Sequence, residues 1–209
     1  MTKKESKFKK QRRLGTLLPG LGDKKAKGPL AKRPYPPGQH GPESRRRSSD
    51  FGLRLKEKQK IRYHYGLKEK QLRNLISKSK RKESNWINTF SSLVERRLDN
   101  VLFRLGFFPT IPSARQATVH GHVLVNGKKC DIPSAIIPIG AEVSLKGAYN
   151  DNVLVVQTKK EPTLELPHFL KLEKKDKQDV GTIIDNPRLE DIPFEFEPQY
   201  VIEYYGKLK

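Results

Sequence analysis

The sequence predicts an α+β protein. It reads as a basic extended N-terminal segment, a small helical subdomain, and a compact helix–helix–hairpin module with a small antiparallel sheet. Three observations carry this. Apolar residues recur at three-and-four spacing between Asp50 and Leu105, the signature of amphipathic helices. Asn126-Gly127 stands between short alternating runs, the strongest local hairpin signal. Charge is segregated: residues 1–90 hold 27 Lys/Arg and 7 Asp/Glu, whereas residues 91–209 hold 16 of each. Composition then marks four segments, 1–50, 51–92, 93–147 and 148–209.

Residues 1–50 show no helical or strand period. They are punctuated by Leu17-Leu18-Pro19-Gly20-Leu21-Gly22 and Pro34-Tyr35-Pro36-Pro37-Gly38-Gln39-His40-Gly41-Pro42. Proline fixes φ and pushes its predecessor to extended conformations, so a stiff, irregular arm without a core of its own is expected. From Asp50 a helix is predicted, capped by Ser48, Ser49 or Asp50 and ended by Gly66. A second runs over 67–80. A third runs from Ser84-Asn85 to Leu105 and stops at Gly106. Ser113-Ala-Arg-Gln116 reads as a capping box opening a short helix that Gly121 closes. Val123 and Val125 lead into the Asn126-Gly127 turn, with a return strand at 128–132 and another strand at 142–145. Beyond 148, the pattern predicts strands at 153–156 and 200–205 and a loop over 171–193. This region has 9 basic and 12 acidic residues, a composition better suited to protein contact than to RNA.

The chain carries a formal net charge of +20 over 209 residues. Counting Gly and leaving out Tyr, about 38% of residues are apolar, against roughly 45–50% in ordinary globular chains. The core is modest and the charge needs a partner. A polyphosphate backbone uses such a field best, because each Lys or Arg contact releases condensed counterions. A membrane partner is not expected: no apolar run approaches the ~18 residues of a spanning helix, and no bulky amphipathic face or lipid anchor marks the arm. The basic N-terminus leads into no hydrophobic stretch, so a secretory signal is not expected. The single Cys130 forms neither an internal disulfide nor a thiolate zinc site, and reads as a small apolar strand residue.

Candidate nucleic-acid contacts follow from residue type and spacing. In the arm they are Arg12, Arg13, Arg33, Tyr35, Gln39, His40, Arg45, Arg46 and Arg47. Tyr35 and His40 either stack on a base or touch a phosphate, or else pack the loop. Arg54, Lys56, Lys58, Lys60 and Arg62 crowd the first helix. On the long third helix Arg97, Asn100 and Arg104 lie at i, i+3 and i+7, opposite the apolar stripe. Ser113, Arg115, Gln116 and His120 belong to the short helix, and Asn126, Lys128 and Lys129 to the hairpin tip. Together these predict one polar, basic face suited to the phosphates and 2′-hydroxyls of folded RNA.

Three stretches give the pattern a family. They are Arg97-Leu98-Asp99-Asn100-Val101-Leu102-Phe103-Arg104-Leu105-Gly106, then Ser113-Ala114-Arg115-Gln116, then Gly121-His122-Val123-Leu124-Val125-Asn126-Gly127-Lys128. They resemble the RNA-binding motif named after small-subunit ribosomal protein four. Upstream, Pro36-Pro37-Gly38-Gln39-His40-Gly41 and residues 55–66 resemble that ribosomal family itself. The resemblance runs from about Arg12 to Lys146, and Tyr200–Tyr205 is similar to the family's C-terminal strand.

This resemblance implies a structural protein that binds small-subunit rRNA at a helix junction of the 5′ domain, early in assembly. It implies small-subunit ribosomal protein five and other ribosomal proteins as neighbours, mRNA nearby at its entry channel, and an influence on decoding accuracy. Arg97, Asn100, Arg104, Arg115, Gln116, Asn126 and Lys128 match the motif's RNA-facing positions. Tyr35, Gln39, His40 and the basic residues of 54–62 match its N-terminal contacts. Some members carry a four-Cys zinc knuckle; with no Cys before Cys130, none is expected here, nor any other metal or cofactor. Arg12-Arg13-Leu14-Gly15 and Leu17–Leu21 are similar to the cyanobacterial and plastid branch, which favours a plastid ribosome over a bacterial one. The alternatives are an RNA-modifying enzyme or a stalled-ribosome factor carrying the same motif. The first usually needs a separate catalytic domain, the second lacks the Pro-Pro-Gly-Gln-His-Gly region, and no catalytic constellation is present. The protein is expected not to be an enzyme.

Overall fold

A computed structural model describes residues 6–22, 29–43, 49–81, 85–175 and 178–206. It is mixed α and β, and its described residues pack as two units, one from Met1–Leu72 with Pro193–Lys209 and one from Arg73–Ile192. These seams differ from the four segments marked by composition.

In the first unit the arm is not irregular throughout. Residues Lys7–Leu14 form helix α1, ended by Gly15 in the left-handed region (φ 63°), and Pro29–Lys32 form a single turn, α2. Gln11, Leu14 and Leu18 are buried. The Gln11 side-chain oxygen accepts from the Leu18 N–H at 3.1 Å, and the Gly20 N–H donates to His64 Nδ1 at 3.3 Å. The sequence period missed this helix because its buried residues are Leu14 and the polar Gln11, while Phe8 faces water.

Helix α3 spans Asp50–His64, and the Ser49 hydroxyl caps it by accepting from the Gly52 N–H. Helix α4 spans Glu69–Lys80, of which residues 69–72 belong to this unit and the rest to the second. The predicted terminal strand is instead helix α10, Pro198–Gly206, whose Val201 and Tyr205 are buried. It packs along α3, with Phe51 and Tyr204 ring centroids 6.0 Å apart. Tyr200–Tyr205 alternates little in polarity, so partner geometry rather than local pattern decides its conformation.

In the second unit the predicted long helix is two, α5 at Trp86–Glu95 and α6 at Leu98–Arg104. The break has a cause in the sheet-like segment 133–137. Arg97 pairs with Ile136 in an isolated bridge, the Leu98 and Asp99 N–H groups donate to Ala135 and Pro133 carbonyls, and Ile137 N–H donates to the Arg96 carbonyl. The first N–H groups of α6, which any helix leaves unpartnered, are thereby satisfied.

Helix α7, Ile111–Val119, starts at a Thr110–Ser113 capping box, not at the expected Ser113–Gln116 one. The hairpin forms as predicted from β1 (Val123–Val125) and β2 (Lys128–Lys129), with Asn126 and Gly127 at φ 49° and 75°. The return strand is shorter than the expected 128–132. Strand β3 is Glu142–Leu145.

Two further expectations beyond 148 are overturned. After the short helix α8 (Gly147–Asn150), residues Val153–Lys160 form helix α9, not a strand, burying Val155 and Thr158 on one side, with the Asn152 side chain capping it by accepting from the Leu154 N–H. Residues 171–193, expected as loop, hold most of β4 (Leu170–Lys175) and all of β5 (Gln178–Ile183). The five strands join in the order β2-β1-β3-β5-β4, every pair antiparallel. One face packs on α6 and α7 around Leu98, Leu102, Phe107, Val123, Val143 and Phe169.

Candidate nucleic-acid interface

Charged side chains meet two fates here: some are spent on partners inside their own unit, and others face water. In the first unit, α10 and the segment before it cover much of the α3 basic face. Arg54 Nε donates to Glu203 at 2.6 Å. Lys58, only 4% exposed, donates to Glu69 at 2.9 Å and lies over the Tyr204 ring. Lys60 pairs with Glu57 at 2.7 Å and donates to the Glu195 carbonyl. The acidic and aromatic terminus thus partners the chain's own basic helix.

Lys56 and Arg62 remain half-buried rather than enclosed, Arg62 reaching Gln59 and lying 5.8 Å from the Tyr63 ring centroid. Arg12 donates to the Tyr35 and Pro36 carbonyls and lies over the Tyr35 ring. The choice left open for Tyr35 is partly decided, since this half-buried ring helps pack its loop. Arg13, Arg33, Gln39 and His40 are exposed. Gly41 must lack a side chain, because a Cβ there would sit 2.0 Å from the Pro36 carbonyl oxygen. Arg45, Arg46 and Arg47, and the cap candidate Ser48, lie outside the described residues.

In the second unit the expected outward face of Arg97, Asn100 and Arg104 does not exist. All three are buried, at 4%, 0% and 6% exposure. Arg97 caps rather than continues a helix, so the i, i+3, i+7 spacing does not apply. Its guanidinium makes two hydrogen bonds to Asp99, at 3.1 and 2.8 Å. Arg115 joins the same carboxylate at 3.2 and 2.7 Å. Asn100 donates to the Glu95 carbonyl and carboxylate, both at 2.9 Å. Arg104 lies 3.3 Å from Glu95 and donates to the Asp191 carbonyl. Buried charges demand such partners, and this network fixes α5, α6 and α7 to one another.

The rest of the predicted set does face water. Gln116, His120, Asn126, Lys128 and Lys129 are exposed, while Ser113 is half-buried in the α7 cap. Asn126 Oδ1 accepts from the Glu142 N–H at 2.8 Å and pins the hairpin to β3. Beside them, the sequence reading missed a groove of about 280 Å³ lined by Gln116, His120, His122, Tyr149 and Asn152 above Phe108. The His-Gly-His run was its only signal, because Tyr149 and Asn152 fall where the pattern was misread. Among the described residues, no helix is long and apolar enough to cross a membrane, and no group of three or more His, Cys, Asp or Glu is placed to hold a metal ion.

Comparison with known proteins gives a consistent result. The family model for the ribosomal protein S4/S9 N-terminal domain matches residues 2–95, and that for the S4 domain matches residues 96–143. The chain is 52% identical over 204 residues to small ribosomal subunit protein uS4B of Bdellovibrio bacteriovorus, covering 97% of this chain and 96% of the relative. It is 44% identical over 201 residues to uS4 of Methylobacillus flagellatus, covering 96% and 95%. It is 40% identical over 211 residues to uS4 of Granulibacter bethesdensis, covering 99% and 100%.

Proposed function

The chain belongs to the family of small ribosomal subunit protein uS4, ribosomal proteins and not enzymes, and from that premise we propose that it binds small-subunit rRNA at a helix junction of the 5′ domain. The observation that carries this reading is the split between enclosed cations and outward basic and polar side chains. Arg97, Arg104, Lys58 and Lys60 hold the scaffold, leaving Lys128, Lys129, Gln116 and His120 outward in one unit and Arg13, Arg33, Gln39 and His40 outward in the other.

Contacts then divide by chemistry. The hairpin lysines meet phosphates, each releasing counterions, while Gln116 and Asn126 reach sugar and base edges from rigid positions. Arg115, half-buried and held by Asp99 at 2.7 Å, fixes α7 beside these contacts. Binding early in assembly, small-subunit ribosomal protein five as neighbour, and a place by the mRNA entry channel with influence on decoding accuracy complete the proposal. The named relatives are bacterial; they support a bacterial ribosome, and none of them speaks for the plastid reading.

The test is titration of the full chain with a 5′-domain transcript across salt, against a scrambled RNA competitor. Binding that survives excess competitor, with a slope of several phosphate contacts, is expected. Equal affinity for both RNAs would overturn the proposal.

A further inference from the structure

We infer that the groove between α7 and the α8–α9 segment holds one unpaired nucleobase, stacked on the His122–Tyr149 ring ladder with its edge toward Gln116 and Asn152. This rests on the rRNA-binding reading and names the chemical group its second unit receives.

The ladder originates in the chain. Gly121 at φ 74° turns the backbone after α7, and the flanking His120 and His122 present parallel rings, 4° apart in plane and 6.2 Å between centroids. His122 in turn stacks on Tyr149 at 4.0 Å and 10°. Three nearly parallel rings make a stacking platform, and stacking of bases on such rings tolerates any base. Phe108 and Ala117, both buried, close the floor.

Hydrogen-bonding capacity lies beside the rings. Gln116 is exposed and makes no side-chain hydrogen bond among the described residues. Asn152 commits its Oδ1 to the Leu154 N–H, which leaves its amide N–H groups to donate. Amides of this kind pair with the mixed donor and acceptor edges of bases.

Charge selects the occupant. Among the described residues, no carboxylate lines the groove. The Lys129 side chain lies against Gly121, so close that a Cβ there would stand 2.3 Å from its Cε and 2.9 Å from its Nζ. Lys146, also exposed, is tied to His122 by its backbone N–H at 2.9 Å. Planar rings, amides and the flanking Lys129 ammonium together match a nucleotide. The base must be unpaired, since a paired base offers its neighbours, not a protein ring, as stacking partners, and splayed bases are what proteins read in folded RNA. An aromatic side chain of a protein partner would use the rings but neither the amides nor the lysines.

The full chain is titrated with a single-stranded oligoadenylate and, separately, with an abasic ribose-phosphate oligomer of the same length, following ring-proton resonances of His120, His122 and Tyr149. Upfield shifts at these rings with the base-bearing oligomer alone are expected. Equal shifts with the abasic oligomer, or none with either once the Lys129 resonances have saturated, would overturn the inference.

In parallel, Tyr149→Leu should weaken binding of the 5′-domain transcript roughly 5- to 150-fold with an unchanged salt slope. The exposed Gln116→Ala and His120→Ala variants carry the same test should Tyr149→Leu lose its fold. Full affinity in folded variants sinks the groove and leaves the rRNA reading standing. Failure of the unaltered chain to bind the transcript sinks the rRNA reading, and the oligomer titration still decides the groove.

Discussion

Asp99 is a buried charge that holds two arginines in the second unit, and Asp99→Asn measures its worth. Its side chain is 1% exposed and faces two guanidinium groups, with Arg97 5% and Arg115 35% exposed at the side chain. It also accepts from the Asn100 N–H at 3.0 Å. The amide keeps the shape but removes the charge and half the acceptors. Arg115 can turn to water, so its share of the loss is small, on the order of 1 kcal/mol or less. Arg97 cannot, and breaking a buried pair by altering one partner costs about 3–5 kcal/mol. That is a large part of the ~5–15 kcal/mol that holds a domain folded. The only tryptophan, Trp86, is buried at the start of α5 in the same unit, so urea titration by its fluorescence reads the loss directly. Adding Arg97→Met should recover most of the stability, because an apolar replacement leaves no orphaned charge. A loss under about 1 kcal/mol, or a double variant no firmer than the single one, would refute the view that this pair is enclosed.

Other expectations follow from the same division of charges. Lys128→Ala with Lys129→Ala should lower the magnitude of the log–log salt slope of rRNA binding by about 0.7–0.9 per lysine, whereas Lys58→Ala should leave the slope alone and lower the urea midpoint instead. Gly121→Ala meets both a left-handed φ and the Lys129 stem, so a thermal melt should show a loss of about 1–3 kcal/mol. Burial pushes the Glu69 carboxyl up, but hydrogen bonds from Lys58 and Tyr205 and the charges of Lys58 and Arg62 outweigh it and hold the carboxyl below its usual value. The unfolded chain then binds this proton more readily, so the stabilisation is full above the ordinary carboxylate range and fades as pH falls through the lowered value. The stability difference between the unaltered chain and Glu69→Gln should therefore shrink on acidification; a constant difference would contradict the ion pair.

Local signals with a local cause were legible in the sequence. Ser49 as a cap, Gly66 and Gly121 as stops, and Asn126-Gly127 as a hairpin each act through one or two residues, and all stand in the structure. What failed depended on distant partners. The break between α5 and α6 needs residues 133–137, which no helical period reveals. Val153-Leu154-Val155-Val156 is rich in β-branched valine and reads as a strand, yet only Val155 and Thr158 of α9 face inward, a helical spacing that emerges from packing. The site shows the same asymmetry. Arg and Asn beside an apolar stripe resemble an exposed polar face, but Asp99 and Glu95 lie within reach and draw Arg97, Asn100 and Arg104 inward. Sequence gives residue type; only the fold tells which cations are already matched.

The central claim is that the outward lysines, not the enclosed ones, meet rRNA. Lysine acetylation of the full chain, read by mass spectrometry with and without the 5′-domain transcript, tests it most directly. Lys128 and Lys129 should label readily in the free protein and be protected by the transcript, while Lys58 and Lys60 stay unreactive in both states. Equal labelling of Lys128 and Lys129 with the transcript bound, or ready labelling of Lys58 in the free protein, would contradict the account.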